Sequence, residues 1–208
     1  MSNGNKKILV ATTNPGKMAE LQAMLGADVQ YLSLSELEDI GRIQEDGATF
    51  AENARKKALG YAKAAGLWTI ADDSGLVVDA LGGAPGVKSA RFSGAKDKDR
   101  KLLDHKNTAK VLRLLENVPR EKRTARFVCH LCLASTDRIL AETEGIFEGL
   151  IAEMEIGENG FGYDPIFFVP QLNRTVGQLT AEEKNAISHR SQAILKLRPL
   201  LRQLLRNV

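Results

Sequence analysis

The stretch Ala11-Thr12-Thr13-Asn14-Pro15-Gly16-Lys17 packs two hydroxyls, an amide, a glycine and a cation into one short segment. If a strand ends at Ala11 and a helix opens at Pro15, the unpaired N–H groups and positive dipole end of that helix suit a phosphate. Gly16 lets an anion approach the backbone, and Lys17 adds a full charge. The spacing is not that of a Walker loop, and a capped helix with a solvated lysine accounts for the residues equally well. A second stretch, Asp72-Asp73-Ser74-Gly75, reads as the end of a strand. Adjacent carboxylates on extended chain point to opposite faces, so the two are expected to do different work. Magnesium takes oxygen ligands and is usually held by one or two carboxylates together with substrate phosphates. Glu45 or Asp46 could add a further carboxylate, although an Asp/Ser/Gly turn needs no metal.

Gly157-Glu-Asn-Gly-Phe-Gly-Tyr-Asp-Pro165 sets glycines around two aromatics. Phe161 and Tyr163 could sandwich a planar base, with the glycine backbone lying close to it. Lys184, followed by Ser188-His189-Arg190 at the head of a last helix, gathers cationic and neutral donors at another anion-friendly terminus. His105 and His130 carry no functional reading.

The elements that position these residues alternate between strand and helix, which argues for α/β architecture. Lys7 to Ala11 is a short apolar strand. Asn14 can cap the following helix, with Pro15 at its first position, and Met18, Leu21, Met24 and Leu25 form the apolar face. A second helix opens at Thr49, where Glu52 completes a capping box, and ends near Ala65. Leu67 to Ala71 is the next strand, and Leu76 to Ala80 is a further extended piece. A third helix covers about Lys98 to Glu116. Two long strands, about Thr124 to Ala134 and Ile139 to Ile151, read as an antiparallel pair around Ser135-Thr136-Asp137. Ile166 to Val169 is another strand, Thr180 and Glu183 mark a further helix start, and a final helix runs from about Ser188 to Leu205. Pro199 is expected to kink or interrupt it. The expectation is one domain spanning residues 1–208, of two lobes, with a mixed sheet.

Composition narrows the function. The chain has 208 residues, 43% hydrophobic and 26% charged, as ordinary globular proteins do. Its formal net charge of +3 is too small to argue for a nucleic-acid partner, and 5% aromatic content disfavours base-stacking platforms. No apolar run approaches the roughly 18 residues of a membrane span, and Met1 to Lys7 does not read as a secretory signal. Cys129 and Cys132 are spaced C-x-x-C, but nothing supplies two more zinc ligands. In the segment Arg126 to Ala134 they read as small hydrophobes of a buried strand, and a reducing, cytoplasmic location is the default.

The ordered set TTNPGK, TFAEN, ADDSGL, GGAPGVKSARFSG, GFGYDPIF and SHR covers most of the chain. It resembles the inosine triphosphatase family, the RdgB-like pyrophosphatases of non-standard purine nucleoside triphosphates such as ITP, dITP and XTP. Each motif is weak alone; the ordered set is specific. The resemblance implies an elongated α/β fold of two lobes around a mixed, twisted sheet, a magnesium-dependent (Mg2+) active site in the cleft between the lobes, and a homodimer. Residue by residue, it implies a triphosphate loop of Thr12, Thr13, Asn14, Pro15, Gly16 and Lys17. It makes Asp73 the metal-linked catalytic carboxylate that accepts a proton, Glu45 a second metal ligand and Ser74 a substrate contact. Phe161, Gly162, Tyr163 and Asp164 would line the nucleotide site with Lys184, His189 and Arg190, and Lys57 would face the phosphates. Thr13 departs from the glycine or other small residue frequent in relatives, which bears on loop shape. The C-x-x-C pair lies outside the family pattern.

The implied reaction is hydrolysis at the α-phosphorus, giving a monophosphate and pyrophosphate and keeping deaminated purines out of DNA and RNA. Inosine and xanthosine present a 6-oxo acceptor where adenine presents an amino donor. Donors from His189, Arg190 or backbone amides would therefore discriminate by about 10⁴ or more, while exclusion of GTP must rest on the surroundings of its 2-amino group. Two rivals are a non-catalytic nucleotide-binding module and a hydrolase of modified pyrimidine triphosphates. Carboxylates beside phosphate disfavour the first, since anion binding gains nothing from them without a metal.

Overall fold

Strand β1 (Lys7–Ala11) alternates its buried side chains to two faces, Ile8 and Val10 to one and Leu9 and Ala11 to the other. A strand buried on both sides must be covered by helices on both sides. The computed structural model describes residues 6–26, 29–37 and 40–206; Met1 to Asn5, most of the stretch read as no secretory signal, lie outside them. After β1 come α1 (Pro15–Leu25), β2 (Gln30–Ser33), α2 (Phe50–Ala65), β3 (Trp68–Val78), α3 (Arg100–Leu114), β4 (Thr124–Ala134) and β5 (Ile139–Ile151). The chain ends with β6 (Phe167–Val169), β7 (Arg174–Thr175), α4 (Ala181–Ile187) and α5 (His189–Arg206).

The seven strands form one sheet in the order β2-β1-β3-β4-β5-β6-β7. β1 runs parallel to β2 and to β3, with Val10 opposite Ile70, whereas β5, β6 and β7 pair antiparallel. The sheet is therefore mixed, as expected from α/β alternation at one end and a hairpin at the other. β4 and β5 are joined by residues 135–138, with the Ser135 N–H donating to the Arg138 carbonyl at 2.9 Å.

The chain divides into two compact units. The first comprises residues 1–73, 129–145 and 190–208. One face of its sheet carries Ile8, Val10, Ile70, Leu131 and Leu133, packed against Leu21 and Leu25 of α1 and Ile194, Leu197 and Leu201 of α5. The opposite face carries Leu9, Ala11, Ala71 and Ala134 against the alanine stripe Ala54, Ala58 and Ala62 of α2, which allows close approach. Each fully buried Ile or Leu contributes about 1.5–3 kcal/mol. The second unit, residues 74–128 and 146–189, is built on Leu76, Val78, Phe127, Ile151, Phe167 and Val169, with Val111 and Leu115 closing its core.

The elements depart from expectation at several points. Asp72-Asp73-Ser74-Gly75 does not end a strand: β3 passes through it unbroken. Leu76 and Val78 are fully buried two residues apart, so burial holds the chain extended where local turn preference would break it. Gly75 serves packing, since a Cβ there would come within 2.3 Å of the Ser89 hydroxyl. Pro199 does not interrupt α5. It sits on the exposed side of the helix, where water can satisfy the carbonyl that its missing N–H leaves unpaired. Ser188 belongs to the C-terminus of α4, and β2 and β7 had no sequence signal of their own. Thr49 caps α2 through the Glu52 N–H at 3.1 Å, but the Glu52 carboxylate turns to the Ala48 N–H instead of closing the box.

Candidate active site

The charged cluster of the first unit follows from strand alternation. Asp72 and Asp73 are 2% and 7% exposed and project from opposite faces of β3. On the α1/α5 face, Asp72 accepts from Lys17 Nζ at 2.5 Å, from Arg190 Nε at 2.7 Å and from the Cys129 thiol at 3.3 Å. Arg190 also pairs with Glu20 of α1. Burial alone would raise the Asp72 pKa, but the guanidinium and ammonium beside it reverse that and hold it well below the usual carboxylate range. On the α2 face, Asp73 Oδ2 accepts from Asn53 Nδ2 at 3.1 Å, and Lys57 Nζ lies 3.3 Å from Asp73 Oδ1 and 2.8 Å from Glu45 Oε2. Lys57 donates to the Asp72 carbonyl as well, at 2.8 Å. Here burial prevails: Asp73 is raised above its ordinary value despite Lys57. Burial opposes a charged Lys57, but Asp73 and Glu45 raise its pKa, and Lys57 in turn lowers that of Glu45 against its desolvation.

At the start of α1, Asn14 Oδ1 accepts the Gly16 and Lys17 N–H groups at 2.9 and 3.4 Å, and Thr12 Oγ1 accepts the Asn14 N–H at 3.1 Å. Two of the donors expected to meet phosphate are thus capped from within the loop. Thr13 and Pro15 are exposed, and Thr12, Gly16 and Lys17 half-buried.

In the second unit the glycine-rich loop is fastened by carboxylates. Asp164 Oδ2 accepts the Phe161 N–H at 2.9 Å and Lys184 Nζ at 2.6 Å, and the Lys184 ammonium lies 4.3 Å from the centre of the Phe161 ring. Gly162 and Gly160 have φ +64° and +75°, a region that favours glycine, and a Cβ at Gly160 would also meet Asp164 Oδ2 at 2.1 Å. Phe161 and Gly162 line an open groove of about 840 Å³ together with Arg100 and Asp104 of α3.

Several expected site residues already have partners within the protein. Tyr163 is 4% exposed, lies in the core of its unit and donates its hydroxyl to the Ser89 carbonyl at 2.8 Å, so it cannot form half of a base sandwich. Arg190 and His189, expected together at a base, are separated by helical geometry, since successive side chains are about 100° apart around a helix. His189 stacks on Phe127 at 4.9 Å, while Arg190 meets Asp72 and Glu20. Lys184 holds Asp164 and the Phe161 ring. Of Glu45 and Asp46, Glu45 is the one brought to Asp73 through Lys57; Asp46 pairs with exposed Lys56. Ser74 is the next residue of β3, half-buried.

The Ham1 family profile matches residues 8–200. The chain belongs to the Ham1 family. A relative from Geobacillus kaustophilus is 49% identical over 193 residues, covering 92% of each chain, and one from Desulforamulus reducens is 47% identical over 199 residues, covering 95% of this chain and 96% of the other. Both are named dITP/XTP pyrophosphatase. The solved Ham1 protein of Staphylococcus aureus is 41% identical, superposes with a TM-score of 0.83 and covers 95% of this chain and 99% of its own.

For this Ham1 chain, sequence reasoning missed Asn53 and Glu20. Asn53 carried a readable signal: with Lys57 it forms an i, i+4 polar pair on a buried face of α2 otherwise made of alanines and Tyr61. Glu20 had none, because its partner Arg190 is 170 residues away. The C-x-x-C pair is free and buried. Cys129 lies in one core layer and Cys132 in the other, since residues three apart on a strand face opposite sides. Burial pushes the Cys132 thiol up to about 12 and that of Cys129 well above its ordinary value, which keeps both unreactive.

Proposed function

We propose that this Ham1-family chain hydrolyses non-standard purine nucleoside triphosphates, ITP, dITP and XTP, to the monophosphate and pyrophosphate with magnesium. The observation that carries the reading is the convergence of Glu45 Oε2 and Asp73 Oδ1 on one cationic centre, the Lys57 ammonium, at 2.8 and 3.3 Å. Two hard oxygen donors brought together by one lysine are of the kind that holds magnesium, with substrate phosphates and water completing the coordination. The names of the relatives support the purine substrate class.

Magnesium held by Glu45 and Asp73 would offset charge on the phosphates as the anhydride breaks. In this scheme Asp73 takes the proton from the attacking water, and Asn53 fixes the orientation of its carboxylate. Lys17, anchored by Asp72, is the cation of the phosphate loop. Phe161 supplies the aromatic face for the base. With Arg190 committed to Asp72 and Glu20, the donor to the 6-oxo group falls to His189 or to backbone N–H groups. The same reading carries a homodimer and a cytoplasmic setting; among the described residues no helix is long and apolar enough to cross a membrane. Incubation with ITP and magnesium, with ATP as the control, should release pyrophosphate from ITP in strong preference. Release of orthophosphate would move cleavage to another bond, and neither product would favour a binding module.

A further inference from the structure

Asp104 of α3 is a buried carboxylate, 9% exposed, that the proposed reaction does not use. Its Oδ2 accepts the Gly162 N–H at 2.9 Å, and its Oδ1 lies 3.1 Å from Arg100 Nε one turn earlier on the helix. One turn later Asn107, 2% exposed, accepts the Ser93 N–H at 2.7 Å. α3 thus turns a polar pair, i and i+3, toward two different loops and gives each a side-chain acceptor for one backbone N–H. A carboxylate acceptor makes the stronger of the two bonds.

Gly162 sits in the left-handed region, so its N–H cannot be returned to a regular ladder; the carboxylate from α3 satisfies it. The adjacent Phe161 N–H is satisfied by Asp164. Two consecutive amides are therefore tied by two carboxylates from different elements, which leaves the Phe161 backbone little freedom. An untied loop would lose that freedom on binding, at the expense of affinity.

We infer that Asp104 is a positioning residue that presets the Phe161 ring for the purine base through the Gly162 N–H. This deepens the proposed function and rests on it. Asp104 touches neither phosphate nor the reacting water in that scheme, so its loss falls on substrate affinity rather than on chemistry. Asp104→Ala is expected to raise KM for ITP about tenfold and leave kcat within about twofold. Asp104→Asn, which keeps an acceptor oxygen, should restore KM to within about threefold of the parent. Asn107→Ala, a control for structural damage in the same helix, should lower the melting temperature without raising KM. In the unmodified protein the Gly162 amide should exchange with deuterium slowly, a readout independent of whether any variant folds. A KM unchanged in Asp104→Ala, an Asp104→Asn as impaired as the alanine variant, an equal KM rise in Asn107→Ala, or fast exchange at Gly162 would each overturn the assignment. Failure of the parent protein to hydrolyse ITP is a separate result, which strikes the pyrophosphatase reading and leaves the Gly162 exchange result standing.

Discussion

On one face of β3, Asp72 is held by Lys17, Arg190 and the Cys129 thiol; on the other, Asp73 meets the amide of Asn53 and an ammonium that it shares with Glu45. The neighbours share a strand and nearly the same burial, yet their charges are managed differently. Asp72 is matched by two full cations at 2.5–2.7 Å and is held as an anion. Asp73 is left with a weaker match, and its proton affinity rises. Two residues with one side-chain chemistry thus become a structural anchor and, in the proposed reaction, a base, and what separates them is the helices facing each side: α1 and α5 supply Lys17 and Arg190, while α2 supplies Asn53 and Lys57.

The largest effect should come from Asp73, the base of the proposed reaction. Asp73→Asn is expected to lower kcat for ITP by about 10³-fold, with a melting temperature within about 4 °C of the parent. A melting temperature that collapses with the rate would make Asp73 another anchor. Asp72→Asn should behave in the opposite way. Removing the carboxylate leaves the buried guanidinium with Glu20 alone and releases the Lys17 ammonium, which costs about 3–5 kcal/mol, or about 10 °C in melting temperature. The pH dependence of stability sharpens the contrast. Asp72 has a folded pKa below its unfolded value of about 3.9, so its contribution is fully present well above pH 4 and is lost as pH falls toward the folded value. Acid melts of the parent should show that loss, and melts of Asp72→Asn should lack it.

An intermediate effect is expected at the shared ammonium. Lys57 lowers the Asp73 pKa against burial, so Lys57→Gln leaves burial less opposed and raises it further. The acid limb of the kcat/KM profile should move to higher pH; a limb that stays or moves down would detach it from Asp73. The smallest effect separates the cysteines. Cys129→Ser keeps a donor for Asp72, whereas Cys132→Ser places a hydroxyl among Leu9, Ala11 and Ala134. Denaturant melts should find the second variant less stable by about 1 kcal/mol.

Much of this was legible in the residue order. Strand period predicted that Asp72 and Asp73 would part company, caps placed α1, α2 and α4, and β4 and β5 fell within the expected bounds. What was not legible required partners distant in sequence. Turn formers at 72–75 suggested a strand end because the burial of Leu76 and Val78 is a tertiary fact. Arg190 was read toward a base because Glu20 and Asp72 are 170 and 118 residues away from it. Tyr163 was read as a base contact because its aromatic ring serves a core equally well, and only its seat beneath Ser89 decides between them.

The most direct test is hydrolysis of ITP with magnesium in ¹⁸O-labelled water, followed by mass spectrometry of both products. Water activated at Asp73 for attack on the α-phosphorus places the label in the monophosphate and leaves pyrophosphate unlabelled. Label in pyrophosphate or orthophosphate would contradict that placement.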